Sequence, residues 1–206
     1  MKARLEIYYE NIPANALRLF ESKYAENPSD ANLYGLALAY KKNNNFNEGL
    51  ASLDKLLEKY PKNLVLNTTK VEFLSYFNKF NDALDLANKF LEISPKNYPL
   101  SISKSQILLN MGQYFESEEI IRDQLLRKND SPELWFMLSE TQKTSQNIVG
   151  YHQSRAEYFL LLGQDEKALN QLEFALQLTQ NNFQVSDRIM TKIIEIKKSL
   201  QNSRGL

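Results

Sequence analysis

Few residues of this 206-residue chain have types and spacing that could do chemistry. His152 is the only histidine and cysteine is absent, so this sequence alone cannot assemble a conventional zinc site. The metalloprotease pattern HExxH, glycine-rich phosphate loops and the nucleophile pattern GxSxG are also absent. We interpret His152 as a helix residue at a packing position, and we predict no catalytic residue, no metal site and no cofactor in this chain.

Acidic pairs such as Glu118 and Glu119 are the remaining candidates for acid–base chemistry. Neighbouring residues of a helix point to different sides, so this pair does not form a carboxylate dyad, and we interpret both residues as solvated. Lys+Arg and Asp+Glu both total 25, which gives no electrostatic reason to expect nucleic acid or anionic lipid as a partner. Since no apolar run is long enough to cross a bilayer, the sequence predicts no membrane span. We expect a protein or peptide as the partner.

The composition indicates that helices position these residues. Only 6 Gly and 6 Pro are present, which is few for an all-β protein, whereas the long stretches rich in Leu, Ala, Lys and Glu favour helices. Arg4 and Glu6 interrupt the apolar core that an N-terminal signal peptide would need. The sequence as given therefore shows no targeting signal, although a fragment of a longer precursor would also fit this pattern.

An internal repeat organises the chain. The segment FNEGLASLDKLLEKYPKN begins at Phe46 and its counterpart FNDALDLANKFLEISPKN begins at Phe80, 34 residues later. The same offset relates Asn44, Asn78 and Gly112, the small residues Gly49, Ala83 and Ser117, and the prolines Pro61 and Pro95. A period of this length is typical of the tetratricopeptide repeat (TPR), a pair of antiparallel helices.

Each recurring position has a mechanical reason. Gly and Asn readily adopt the left-handed conformation that ends the first helix of a pair. A small residue lets the two helices of a pair approach closely, and proline ends the second helix.

We therefore predict an all-α TPR superhelix, an α-solenoid of about twelve antiparallel helices, as a single domain over 1–206. The predicted segments are a partial repeat 11–29, repeats 30–63, 64–97 and 98–131, an inserted helix 132–146, a repeat 149–182 and a capping helix 183–201. The inserted helix follows from the distance between Gly112 and Gly163, which is 51 residues or one and a half periods. Ser131 as N-cap and Pro132 in the first turn mark its start.

The first helix of each TPR pair lines a concave groove, so its groove-facing positions are the candidate binding surface. Counting from residues 30, 64 and 98 selects Tyr34, Leu38, Lys41, Lys42, Thr68, Glu72, Tyr76, Ile102, Gln106 and Asn110. Their mixture of aromatic, polar and oppositely charged side chains suits a peptide or a protein loop.

The predicted inserted helix adds a second group of candidates. Trp135 and Phe136 are consecutive, and two large aromatic residues in succession cannot both face one core. We expect Trp135 to be buried, and Phe136, with Glu140 and Lys143 on the same side of the helix, to continue the groove.

A carboxylate clamp for chaperone tails is not expected. The positions where one TPR subclass places its clamping Lys, Arg and Asn residues hold Tyr34, Leu38, Thr69, Pro99 and Ser103. Because a clamp needs fixed cations to offset desolvation of the anion, these residues cannot form it.

Most of the chain also resembles the C-terminal region of BepA-like periplasmic zinc metalloproteases. The similar stretches are YHQSRAEYFLLLGQDEKALNQLEFALQL from Tyr151, the following DRIMTKIIEIKKSL, the entry segment KARLEIYY, Tyr34 and Gly35 before Ala37, and the Pro-Glu-Leu-Trp helix start at Pro132. The resemblance implies that the chain is the substrate- and partner-binding part of a zinc endopeptidase. The catalytic domain, with HExxH and its zinc, would then precede residue 1.

The resemblance also implies a periplasmic location and a role in outer-membrane protein assembly and quality control. The expected partners are the outer-membrane assembly machinery, its client proteins and the chain's own protease domain. A free-standing TPR adaptor, cytoplasmic or periplasmic, is the alternative.

Overall fold

The computed structural model describes residues 2–179 and 182–204, and this part of the chain contains twelve helices and no strand. Residues 180–181, which the predicted repeat 149–182 includes, lie outside the described residues, as do residues 1 and 205–206. The helices are α1 (Lys2–Tyr9), α2 (Pro13–Glu26), α3 (Asp30–Lys42), α4 (Phe46–Lys59), α5 (Leu64–Tyr76), α6 (Phe80–Ile93), α7 (Tyr98–Asn110), α8 (Tyr114–Arg127), α9 (Pro132–Thr144), α10 (Ile148–Leu161), α11 (Asp165–Leu178) and α12 (Phe183–Arg204).

The chain divides into two compact units, one up to Ile107 and the other from Leu108. In the first unit, α3 packs against α1, α2 and α4, and α5 packs against α4 and α6. In the second unit, α9 packs against α8 and α10, and α11 packs against α10 and α12. The grouping of all repeats into one domain stays a prediction.

Helix starts follow the 34-residue period. The N-caps Ser29, Asn63, Asn97 and Ser131 are spaced by one period, and each side chain accepts a hydrogen bond from the backbone N–H three residues later. These bonds satisfy one of the free N–H groups at the start of α3, α5, α7 and α9.

The turns between paired helices follow the same period. Asn44, Asn78, Gly112 and Gln146 all have positive φ, at 60°, 58°, 77° and 62°. The left-handed residue expected after the first helix of each pair is therefore present in four successive turns.

The positions of these caps and turns show which helix departs from the 34-residue period. Because α9 has both its N-cap at Ser131 and its left-handed residue at Gln146 in register, it occupies the place of a regular first helix rather than of an insertion. The next left-handed residue is Gly163, with φ 67°, only 17 residues after Gln146. We therefore assign the change of register to α10 rather than to 132–146: α10 packs against α9 as the second helix of one pair and against α11 as the first helix of the next.

Small residues allow the close helix contacts that the repeat predicts. A Cβ added at Gly49 would lie 2.6 Å from the ring of Phe73, so no larger residue fits there without displacing that ring. Ala83 and Ser117, at the equivalent positions, are fully buried. The paired helices therefore pack at the distance that these side chains permit.

The last helix, α12, buries one stripe of apolar side chains. Ile189, Ile193 and Ile196 belong to the core that α12 shares with α11, and Val185 and Leu200 pack at its margins. The spacing of these residues by three to four positions places them on one side of α12, and this stripe covers the end of the second unit.

Candidate functional site: a groove on the first unit

Three helices of the first unit, α1, α3 and α5, surround one open hollow of about 550 Å³. Its lining, here called the first-unit groove, consists of Arg4, Leu5, Ile7, Tyr8, Leu38, Lys41, Lys42, Glu72 and Tyr76. Leu38, Lys41, Lys42, Glu72 and Tyr76 were selected from the sequence, and the structure brings these five together.

Repeat geometry explains the lining. Arg4, Leu38 and Glu72 are spaced by one 34-residue period, and so are Tyr8, Lys42 and Tyr76. Helix α1 is therefore the first helix of the incomplete pair that α2 completes, and its side chains occupy the groove-facing positions of a repeat.

Polar contacts fasten α1 to the neighbouring helices. The ammonium of Lys42 donates to the backbone carbonyls of Ile7, at 2.6 Å, and of Glu10. A cation at this end of α1 favours the helix, since its last carbonyls lack partners and the helix dipole is negative there. Lys23 of α2 also pairs with Glu6 at 2.6 Å.

The same position one period later has a comparable role. The hydroxyl of Tyr76 on α5 donates to Oδ1 of Asn44, the left-handed residue that follows α3, at 3.0 Å. In two successive repeats, the residue at this position therefore hydrogen-bonds to the C-terminal end of an earlier helix: Lys42 to that of α1, and Tyr76 to that of α3.

Arg4 crosses the groove from α1 to α5. Its Nε donates to the hydroxyl of Tyr34 at 2.7 Å, and its Nη2 donates to Oγ1 of Thr69 at 2.8 Å and to Oε2 of Glu72 at 3.1 Å. Burial disfavours the guanidinium charge, but the hydrogen bond to Tyr34 and the charge of Glu72 outweigh this effect and raise the pKa of Arg4. One side chain therefore links three helices.

This network includes Tyr34 and Thr69, which occupy two of the positions where one TPR subclass places its carboxylate clamp. Tyr34 and Thr69 hydrogen-bond to each other at 3.1 Å, and both accept from the guanidinium of Arg4. These positions therefore hold a cation of the same chain, in keeping with the absence of a carboxylate clamp.

Lys41 lines the groove beside Tyr76. Its ammonium is 5.1 Å from the ring centre of Tyr76, within the range of a cation–π contact. Burial lowers the pKa of Lys41, the charge of Arg4 adds to the shift, and the charge of Glu72 opposes it.

The other predicted residues of the first unit lie outside this hollow. Thr68 is buried and donates to the carbonyl of Leu64 at 2.7 Å. It lines a smaller hollow of about 210 Å³ together with Arg4, Val65 and Pro99. Ile102 is half-buried and Gln106 is exposed on α7, while Asn110, also exposed, belongs to the second unit.

The three candidates on α9 face α10. The ring of Phe136, 39% exposed, lies 5.5 Å from the ring of Tyr158 and 4.8 Å from the guanidinium of Arg155. Glu140 lies 3.9 Å from Arg155, and the ammonium of Lys143 lies 5.9 Å from the ring of Tyr151. Their participation in a groove stays a prediction.

The expectation that Trp135 is buried is wrong. Leu134 and Leu138, one turn apart, fill the core side of α9 and are fully buried. Trp135 is half-buried at the edge of that side, where its indole N–H donates to the carbonyl of Asn129 at 2.8 Å.

His152 packs against neighbouring side chains of α10 and α11. Its Nδ1 lies 2.8 Å from Oε1 of Gln171, and its ring contacts Tyr151 and Phe174. Among residues 2–179 and 182–204, no group of three His, Asp or Glu side chains is placed to hold a metal ion. No helix in that part of the chain is long and apolar enough to cross a membrane.

Sequence reasoning missed the contribution of α1. Arg4, Ile7 and Tyr8 belong to the segment KARLEIYY that was compared with the BepA-like family, but none of them was considered as a groove residue. Subtracting one period from Leu38, Lys41 and Lys42 gives Arg4, Ile7 and Tyr8, so the repeat itself contained the signal.

Comparison with known proteins establishes the fold. No protein-family model matches the chain, and no curated protein matches it. Solved structures do: PilW, a type IV pilus biogenesis factor, has a TM-score of 0.64 at 16% identity, covering 92% of this chain and 94% of that one. A thermophilic TPR protein from Thermus thermophilus has a TM-score of 0.53 at 20% identity, covering 92% and 95%.

A third similar structure is MamA, residues 41 to the end, from Desulfovibrio magneticus RS-1. Its TM-score is 0.57 at 14% identity, covering 83% of this chain and 97% of that one. The predicted all-α TPR solenoid is thereby confirmed.

Proposed function

We propose that the chain is a protein-binding module and that the first-unit groove receives a segment of its partner. The observation that supports this proposal is the convergence of equivalent positions of three successive first helices on one hollow. Apolar, aromatic and charged side chains alternate there, the mixture that provides both contact area and specificity at protein interfaces.

Two exposed aromatic residues strengthen the proposal. Tyr8 on α1 is 76% exposed and Tyr76 on α5 is 49% exposed, and both line the hollow. Exposed tyrosines cost the fold little when truncated, yet they are among the residues that contribute most to binding when a partner covers them.

The test begins with a library of random dodecapeptides displayed on phage and selected on the full chain. Recovered peptides are synthesised with a fluorophore, and their affinity for variants is measured by anisotropy. Tyr8→Ala should weaken binding by about tenfold or more, because truncating a central aromatic contact costs at least ~1.4 kcal/mol.

Phe115→Ala is the control, since Phe115 is 71% exposed on α8 and does not line the groove. Its affinity should remain within about twofold of the wild type, a change too small for a central contact. Equal loss in both variants, or no peptide recovered, would refute the proposal.

We also propose a narrower function, which rests only on the resemblance of the stretches named above to BepA-like metalloproteases, residues 151–178 and Pro132–Trp135 among them. The chain would deliver substrates to a zinc endopeptidase domain of the same protein in the periplasm, with zinc bound only in that domain. Its partners would be outer-membrane assembly machinery and client proteins. Sequencing the complete gene tests this: a reading frame without an HExxH domain would leave the free-standing adaptor.

A further inference from the structure

Not every charged side chain that lines the first-unit groove has an ion pair or a hydrogen bond. Arg4 pairs with Glu72 at 3.1 Å, and the ammonium of Lys42 is held by the carbonyls of Ile7 and Glu10. In the described part of the chain, Lys41 forms neither an ion pair nor a hydrogen bond. The groove thus has three cations and one anion in a chain whose charges sum to zero.

The surroundings of Lys41 make this cation a receptor for an anion. The side chain is half-buried between helices, so water hydrates the ammonium incompletely. The lowered pKa of Lys41 has the same origin, since burial disfavours the charged form. A cation that has already lost part of its hydration loses less when a carboxylate replaces the remaining water.

Apolar and aromatic side chains line the same hollow as the Lys41 ammonium. Leu38 lies one turn before Lys41 on α3, and Tyr8 and Tyr76 border the hollow from α1 and α5. A segment that places a carboxylate on Lys41 would therefore place the neighbouring side chain against aromatic and aliphatic carbon.

We propose that the first-unit groove selects a partner segment with an internal aspartate or glutamate beside an aromatic or aliphatic residue, and that Lys41 binds its carboxylate. This inference rests on the proposed protein-binding function. It adds the chemical class of the partner segment and the residue that binds the carboxylate of that segment.

The geometry favours a single carboxylate within a protein segment over other anions. One ammonium without an ion pair provides a point charge, whereas a polyanion such as nucleic acid requires several such cations along its path. Glu72 lies in the same hollow and would repel a second negative charge. A C-terminal carboxylate is best held by several convergent donors, which Lys41 alone does not provide.

The test is a charge-reversal selection. A phage library with eight randomised positions between constant flanks, so that no carboxyl terminus is free, is selected separately on the wild-type chain and on Lys41→Glu. The wild type should enrich Asp and Glu several-fold over the unselected library. Lys41→Glu should instead enrich Lys and Arg, because the sign of the receptor charge is inverted.

Two further variants make the result interpretable. Lys62→Glu changes the net charge equally at an exposed residue outside the groove and should keep the acidic preference. Lys41→Met removes the charge while keeping an unbranched side chain only one atom shorter, and it should abolish the acidic preference without inverting it. It also replaces Lys41→Glu if circular dichroism shows that the latter does not fold.

The outcomes separate the two proposals. If no peptide is enriched on the wild type, the proposed function fails. If peptides are enriched without Asp or Glu, or if Lys41→Met keeps the acidic preference, the groove binds protein but Lys41 does not bind a carboxylate of the partner. Inversion by Lys41→Glu with retention by Lys62→Glu establishes the inference.

Discussion

At the scale of single residues, Arg4 links α1 to both α3 and α5. A guanidinium can donate in several directions at once, and here it satisfies two hydroxyls and one carboxylate on two helices. Lysine has one donor centre and could not reach all three groups from the same position. The position of Tyr8 in the groove therefore depends on a contact made one helical turn earlier.

Removing this contact should loosen α1. Arg4→Ala should lower the free energy of unfolding by about 1 kcal/mol, a modest value because the Arg4 and Glu72 side chains are 42% and 33% exposed. Urea denaturation followed by circular dichroism measures this change. Lys2→Ala, at a side chain 92% exposed, is the control and should change stability by less than about 0.5 kcal/mol. An Arg4→Ala chain as stable as wild type would mean that Arg4 does not fasten α1.

Where the repeat register applied, counting from it selected residues that the structure brings into one hollow. Lys41, Glu72 and Tyr76 were found because their positions in a first helix are defined by counting from its start. Arg4 was missed because the count began at residue 30, and Trp135 was misplaced because helix spacing alone does not say which of two adjacent aromatic residues lies nearer the core.

At the scale of helices, the left-handed turn residues set the register. Asn44, Asn78 and Gly112 belong to residue types that tolerate positive φ, and the sequence revealed them. Gln146 adopts φ 62° without this tolerance, so nothing in its residue type marked the fourth turn. For this reason the sequence showed that one helix was out of register but attributed the change to α9 instead of α10.

This assignment predicts an unusual stabilising substitution. Gln146→Gly should raise the free energy of unfolding by about 0.5–1 kcal/mol, because glycine adopts positive φ without the steric cost that glutamine incurs. The control is Glu119→Gly at an exposed position in the middle of α8, which should instead lower stability by about 1 kcal/mol. Thermal or urea unfolding measures both, and destabilisation by Gln146→Gly would argue against a left-handed turn at 146.

Close packing of helix pairs gives a second element-level prediction. Ala83→Leu should lower the free energy of unfolding by about 1–3 kcal/mol, since Ala83 is fully buried between helices and has no room for a larger side chain. Ala51→Leu, at an exposed position of α4, is the matched control and should have little effect. If the two variants have the same denaturation midpoint, the small positions of the repeat do not set helix spacing.

At the scale of the whole molecule, a neutral chain contains a locally positive groove. The 25 basic and 25 acidic residues cancel, yet the first-unit groove has an excess of two positive charges. Sequence composition could not reveal this excess, because it arises when residues of α1, α3 and α5 are brought together by folding. The fold class was predictable from periodicity, whereas the local charge required the structure.

The central claim is that partner segments bind between α1, α3 and α5, and mapping a bound peptide by NMR tests it most directly. A peptide selected on the wild-type chain is titrated into isotopically labelled protein, and the shifts of backbone amides are followed. Shifts should concentrate at Tyr8, Leu38, Lys41 and Tyr76 and saturate with the measured affinity, while α4, α6 and the helices from α8 onward stay unchanged. Shifts concentrated on α4 and α6, or on the second unit, would contradict the claim.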